Sequence, residues 1–128
     1  MAKILLIEDD LPLVRMYQLV LKKAGFDVVC ALDGEEGIKC VIRDSVDLIL
    51  LDMVMPKKDG FEVLRELKSD KKLAPIPVIC LSVLQQEQDI ERSKQLGADD
   101  YLVKTKVSPD EVVSLVRKHL KKSPKLKN

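Results

Sequence analysis

The sequence predicts a doubly wound α/β fold, with five parallel strands alternating with five helices that cover both faces of one sheet. Three observations carry this expectation. Apolar runs of strand length recur along the chain, as Ile4-Leu5-Leu6-Ile7, Leu48-Ile49-Leu50-Leu51 and Val78-Ile79-Cys80-Leu81. Unbroken runs of this kind read as strands buried on both faces. The segments between them show helical spacing and helix start signals. Each run also closes on polar groups, Glu8 and Asp9, then Asp52, then Ser82. In open parallel sheets the carboxyl ends of the strands are where ligands bind.

The elements follow in order. Ala2–Ile7 reads as the first strand. Asp10 caps the following helix, with Pro12 in its first turn, where a missing N–H costs little. Leu13, Tyr17, Val20, Leu21 and Ala24 recur at helical spacing, and Gly25 suits the residue just past the helix end. Phe26–Ala31 is the second strand. Asp33-Gly34-Glu35-Glu36 has the pattern of a capping box and opens a helix to about Arg43. Val46–Leu51 is the third strand, ending at Asp52, and Met53–Asp59 is a loop. Phe61, Leu64 and Leu67 share one face of a helix over Gly60–Ser69. Pro75 and Pro77 bracket the entry to a strand over Val78–Leu81. Glu87–Leu96 is a polar helix ended by Gly97, and Tyr101–Val103 is a short fifth strand. Ser108-Pro109-Asp110-Glu111 is a strong helix start, and Val112, Leu115, Val116 and Leu120 give that last helix its buried face. One domain is expected over residues 1–122, with a basic tail over residues 123–128.

Composition excludes several classes. At 128 residues the chain has the size of a single domain. Its 22 basic and 21 acidic residues leave a formal net charge of +1, which argues against direct nucleic-acid binding by this domain. Two Tyr, two Phe and no Trp leave little to stack on bases. The three cysteines, Cys30, Cys40 and Cys80, are far apart and lie in apolar segments, so buried reduced thiols are expected. No signal-peptide pattern precedes the first strand, and no apolar stretch approaches the roughly 20 residues that span a bilayer. The expectation is a cytoplasmic protein without membrane contact.

The strand ends bring together Glu8, Asp9, Asp52, Ser82 and, after Tyr101-Leu102-Val103, Lys104. Clustered carboxylates repel one another and raise at least one pKa unless a cation relieves them. With all-oxygen ligands and no thiolate or imidazole near in sequence, Mg²⁺ fits best. A carboxylate can itself attack a phosphoryl group. The metal, the Lys104 ammonium, the Ser82 hydroxyl and backbone N–H groups would then partner the three phosphoryl oxygens. Read singly, Ser82 could equally be a hydrogen-bonded strand-end hydroxyl, and Tyr101 could equally pack at an edge strand. His119, in the last helix's final turn, suits the helix dipole and is given no catalytic role. Met53 and Met55 read as packing.

Taken together, Ile7-Glu8-Asp9-Asp10, Leu51-Asp52-Met53-Val54-Met55-Pro56-Lys57-Lys58-Asp59-Gly60, Leu81-Ser82 and Gly97-Ala98-Asp99-Asp100-Tyr101-Leu102-Val103-Lys104 resemble a response-regulator receiver domain, the CheY-like module of two-component signalling. The resemblance runs from Lys3 to about Leu120. It implies the flavodoxin-like strand order 2-1-3-4-5, for which CheY is a standard example. It implies that Asp52 accepts a phosphoryl group from a histidine kinase or phosphotransfer protein. Glu8 and Asp9 match the acid pair that holds Mg²⁺, Asp9 more directly, with the Val54 carbonyl completing the protein ligands. Ser82 and Tyr101 match the switch hydroxyl and switch aromatic, and Lys104 the phosphate-binding lysine. An output domain or effector would meet the face made by the fourth helix, fifth strand and fifth helix, and the resemblance also allows a phosphorylation-dependent dimer. Val54 and Leu84 flank the path of hydrolytic water.

The chain departs from the family pattern twice. Thr105 follows Lys104 where proline is usual, which predicts a trans bond, and Val83 is bulkier than the small residue usual after the switch hydroxyl. Two rival readings are weaker. A haloacid-dehalogenase-like phosphatase needs a second acid two residues after its nucleophile, and Val54 stands there. A phosphate-independent interaction module would have no use for the intact set of acids, hydroxyl and lysine. The expected role is therefore a phosphoacceptor signalling domain, not a turnover enzyme.

Overall fold

A computed structural model describes residues 1–121; residues 122–128, and with them the expected tail, lie outside the described residues. The elements are β1 (Lys3–Ile7), α1 (Leu11–Lys23), β2 (Asp27–Ala31), α2 (Gly34–Asp44), β3 (Leu48–Asp52), α3 (Gly60–Ser69), β4 (Val78–Ser82), α4 (Glu87–Gln95), β5 (Asp100–Val103) and α5 (Pro109–Leu120). All strand pairs are parallel, in the order β2-β1-β3-β4-β5. This is the doubly wound sheet expected.

Burial explains which strands showed as unbroken apolar runs. Every residue of β3 and β4 is buried, whereas β2 and β5 lie at the edges and are partly exposed. Strand alternation sends neighbouring residues to opposite faces. Leu5, Ile7, Ile49 and Leu51 pack with Val63, Leu64 and Leu67 of α3 and Val41 of α2. Ile4, Leu6, Leu48 and Leu50 pack with Val14 and Leu21 of α1 and Val112 and Val116 of α5. α4 is the least apolar helix, and Ser93 is its buried residue.

Side-chain caps open four of the five described helices, and Gln86 before α4 makes none. Asp10 accepts from Leu13 N, Asp59 from Glu62 N, and Ser108 from Glu111 N, with the Glu111 carboxylate accepting from Ser108 N in return. At α2 the expected reciprocal box is displaced by one residue. Asp33 accepts from Glu36 N, but the Glu36 carboxylate accepts from Leu32 N, at 3.3 Å. β3 starts at Leu48, two residues later than expected, because Asp47 is used otherwise. Its side chain accepts from Lys3 N at 2.7 Å, and its own N–H donates to Lys3 O at 2.8 Å.

The register sets the site. Ile7 pairs with Leu51, Asp52 with Leu81, and Ser82 with Val103. The residues that end β1, β3, β4 and β5 therefore lie at one edge of the sheet.

Candidate functional site

Each site residue is held where a strand gives way to a loop. Glu8 prolongs β1 by one bond, its N–H donating to Ala31 O at 3.0 Å. Its side chain is only 1% exposed, while the next carboxylate, Asp9, faces solvent. The alternation of a strand accounts for this split. Asp52 ends β3 and is 3% exposed, and Ser82 ends β4 fully buried. Lys104 leaves β5 with its N–H donating to Ser82 O at 2.8 Å, and its side chain turns back over the sheet edge.

The Lys104 ammonium lies 2.5 Å from Glu8 Oε1 and 3.4 Å from Asp52 Oδ1. Val54 N–H also donates to Asp52 Oδ1, at 3.2 Å, and Asp10 N–H donates to Glu8 Oε2, at 3.2 Å. One carboxylate oxygen from each of Glu8, Asp9 and Asp52 falls within a 4.8 Å cluster. Burial pushes the Glu8 carboxyl up to about 7, and the neighbouring Asp52 charge adds to this while Lys104 opposes it. Burial pulls the Lys104 ammonium down, but its contacts with Glu8 and Asp52 win, and its pKa is held above the ordinary value. One lysine thus faces three acids, and the pocket is short of positive charge. Its donors are all oxygen, the set that suits a hard divalent ion such as Mg²⁺. The residues present fit the metal.

Beside this pocket, the backbone of Leu84 joins two further residues. Leu84 N–H donates to Ser82 Oγ at 3.1 Å, and the Tyr101 hydroxyl donates to Leu84 O at 2.8 Å. Val54, two residues after Asp52, and Val83, next after Ser82, are 48% and 52% exposed.

A known sequence profile matches most of this chain. The profile described as the response regulator receiver domain covers residues 4–117. The chain belongs to that family. The receiver is 39% identical over 121 residues to the Bacillus subtilis alkaline phosphatase synthesis transcriptional regulatory protein PhoP, a match covering 94% of this chain and 49% of that protein. It spans about half the length of the curated relatives it matches. Among solved structures it resembles the receiver domain of Francisella response regulator 1452, with a TM-score of 0.87, 30% identity, and coverage of 94% of this chain and 98% of that one. It is also similar to the Mn(2+)-bound form of response regulator Rcp1, with a TM-score of 0.79, 31% identity, and coverage of 94% and 93%. The chain is thus a receiver of two-component systems with a CheY-like fold, and receivers are signalling domains that bind a divalent metal at an acidic pocket.

The structure brings Glu8, Asp9, Asp52 and Lys104 of this receiver into one pocket, with Val54 N–H bonded to Asp52. Ser82 and Tyr101 meet through Leu84, not directly with the acids. Met53 and Met55 are buried, as packing requires. Among the described residues no peptide bond is cis, so Thr105 follows Lys104 in trans. The cysteine expectation is corrected in part: Cys40 and Cys80 are buried free thiols, but Cys30, on edge strand β2, is only partly covered. No described helix is long and apolar enough to cross a membrane.

Two features were not visible in the sequence. Leu84 was notable for its side chain, yet its main chain makes the bridge, and residue identity carries no signal for that. At the sequence level His119 fits only a helix-end position that suits the dipole. It is 2% exposed, and its Nε2 lies 3.0 Å from Asp100 Oδ2 on β5. The pairing of a buried histidine with an acid 19 positions away has no local pattern.

Proposed function

We propose that this receiver takes a phosphoryl group from a histidine kinase or phosphotransfer protein onto Asp52, in a Mg²⁺-dependent reaction, and so switches a partner-binding face. The observation that supports it most is the convergence of three carboxylates and one lysine on the buried end of β3. An Asp52 carboxylate oxygen attacks the phosphorus of the donor phosphohistidine. The new P–O bond forms as the P–N bond breaks, and the electron pair leaves with the imidazole nitrogen. A bound divalent ion would neutralise charge shared by the carboxylates and the phosphoryl oxygens.

The chain's own residues divide the remaining work. Asp9, exposed and beside Asp52, is placed to be the direct acidic ligand. Glu8, tied to Lys104 and to Asp10 N–H, is suited to act from behind it. The Val54 carbonyl completes the protein ligands. Lys104 exchanges Glu8 for a phosphoryl oxygen, a short move for a flexible ammonium. Ser82 Oγ can keep its bond from Leu84 N–H and donate its own hydrogen to the phosphoryl group. A pull on Ser82 is then felt by Leu84, and through the Leu84 carbonyl by Tyr101. The new charge biases two arrangements of this chain of contacts.

Tyr101 lies on β5, and the face of α4, β5 and α5 is the surface we assign to an output domain or effector. We place the receiver domain at residues 1–122 and its working compartment in the cytoplasm. The chain is not assigned a turnover activity; it assists its own phosphorylation and dephosphorylation. The test is incubation with Mg²⁺ and a small phosphodonor, followed by mass spectrometry of the labelled residue. Label on Asp52, lost in Asp52→Asn and without Mg²⁺, is expected. Label retained in Asp52→Asn would overturn the assignment.

A further inference from the structure

Gly34, the first residue of α2, is buried and capped by Asp33. A Cβ placed on it would lie 2.9 Å from the carbonyl oxygen of Lys58 and 2.6 Å from Val63 Cγ2. Such distances are too short for real atoms, so a side chain here must displace either the helix or what it touches. Lys58 belongs to the Met53–Asp59 loop, whose beginning carries Val54 beside Asp52.

That loop is gripped from its other sides as well. Met53 and Met55 are buried, and Gly60 N–H donates to Met53 O at 3.1 Å. A Cβ on Gly60 would come within 2.5 Å of Asp52 O and Met53 Cα. Lys57 sits at φ 68°, an uncommon conformation for a residue with a side chain. Backbone in such a state persists where its surroundings over-determine it. α3 supplies the contacts on one side, and the N-terminus of α2 meets the loop at Lys58.

We propose that Gly34 is a positioning residue for the acceptor site: its lack of a side chain lets α2 bear directly on the Lys58 carbonyl, and this holds the Met53–Asp59 loop, with the Val54 carbonyl, where metal binding needs it. The inference rests on the reading of Val54 as a metal ligand. Gly37, one turn along the same helix, supplies the control. A Cβ there would meet Ile7 Cδ1 at 2.5 Å, with Ile7 Cγ1 and Cγ2 the next nearest atoms. That is one buried side chain and no loop backbone.

The test compares the wild type, Gly34→Ala, Gly37→Ala and Gly34→Ala/Val63→Ala. Mg²⁺ affinity is measured by calorimetry, and the backbone amide resonances of residues 53–59 are recorded without metal. Groups that hydrogen-bond to a metal ligand from behind it typically change affinity by roughly 10–100-fold, and a contact further along the loop is expected at the low end. Gly34→Ala should weaken Mg²⁺ binding about tenfold and shift the loop amides. The double variant removes the Val63 clash but keeps the Lys58 one, so it should not recover affinity, and it serves if Gly34→Ala alone does not fold. Gly37→Ala should stay within about twofold of wild-type affinity at a comparable loss of stability. Full recovery in the double variant, equal loss in Gly37→Ala, or unshifted loop amides in Gly34→Ala would overturn the proposal. Failure of the wild type to bind Mg²⁺ would sink the metal reading instead, and the loop amides would still decide the role of Gly34.

Discussion

Lys104 Nζ lies closer to Glu8, at 2.5 Å, than to the proposed acceptor Asp52, at 3.4 Å. The ammonium is parked on an acid that is not the acceptor, and a phosphoryl group on Asp52 would compete for it.

This pairing has a pH consequence. The folded-state pKa of Glu8 is raised from the model-compound value of 4.5 to about 7, chiefly by burial. Between those values the folded protein keeps a proton on Glu8 that the unfolded chain has released. Stability in the absence of metal should therefore be fully present below about pH 4.5 on this account, and fall as pH rises towards 7. Urea denaturation in EDTA across this range checks it. Glu8→Gln should flatten the slope, and an unchanged slope would refute the assignment.

The two acids that follow β1 should differ in their effect on metal. Asp9→Ala should weaken Mg²⁺ binding more than Glu8→Ala, because Asp9 faces the solvent side of the cluster while Glu8 is already engaged by Lys104 and Asp10 N–H. Groups acting from behind a ligand still change affinity by about 10–100-fold, so Glu8→Ala should be measurable. Calorimetric titration of both variants decides the order. Ser82→Ala should leave the affinity of the unphosphorylated protein unchanged.

Phosphorylated Asp52 should decay slowly. Val54 and Leu84 flank the expected path of water, and neither side chain can orient it by hydrogen bonding. Each ~1.4 kcal/mol of lost positioning is tenfold in rate. Val54→Asn with Leu84→Glu should decay at least about tenfold faster, and the Leu84 exchange leaves its main-chain bonds to Ser82 and Tyr101 available. Release of label from the two proteins is the measurement, and equal rates would refute the prediction.

His119 should matter for packing and not for the pocket. Its Nδ1 is buried without a hydrogen-bond partner among the described residues, and its Nε2 meets an aspartate with one side open to water. His119→Ala leaves a cavity and should cost about 2–3 kcal/mol. His119→Leu fills the space, frees Asp100 to meet water, and should cost less than about 1 kcal/mol. Denaturant midpoints give both numbers, and Mg²⁺ affinity should not change in either variant.

The sequence by itself determined the class of fold and the identity of the candidate site. Runs such as Leu48-Ile49-Leu50-Leu51 show burial on both faces through their composition, and caps such as Asp10 and Ser108 act within three residues of themselves, so both are local facts. Glu8, Asp9, Asp52, Ser82 and Lys104 were legible because each ends a strand or directly follows one, and parallel strands share one carboxyl edge. Only the tertiary structure decided which of these groups touch. That Lys104 rests on Glu8, that Leu84 joins Ser82 to Tyr101 through its main chain, and that His119 finds Asp100 all depend on register, crossover and side-chain direction between distant segments. The same holds for Gly34 and Gly60. Their lack of a Cβ has meaning only against the Lys58 carbonyl and the Asp52–Met53 backbone, which packing brings to them.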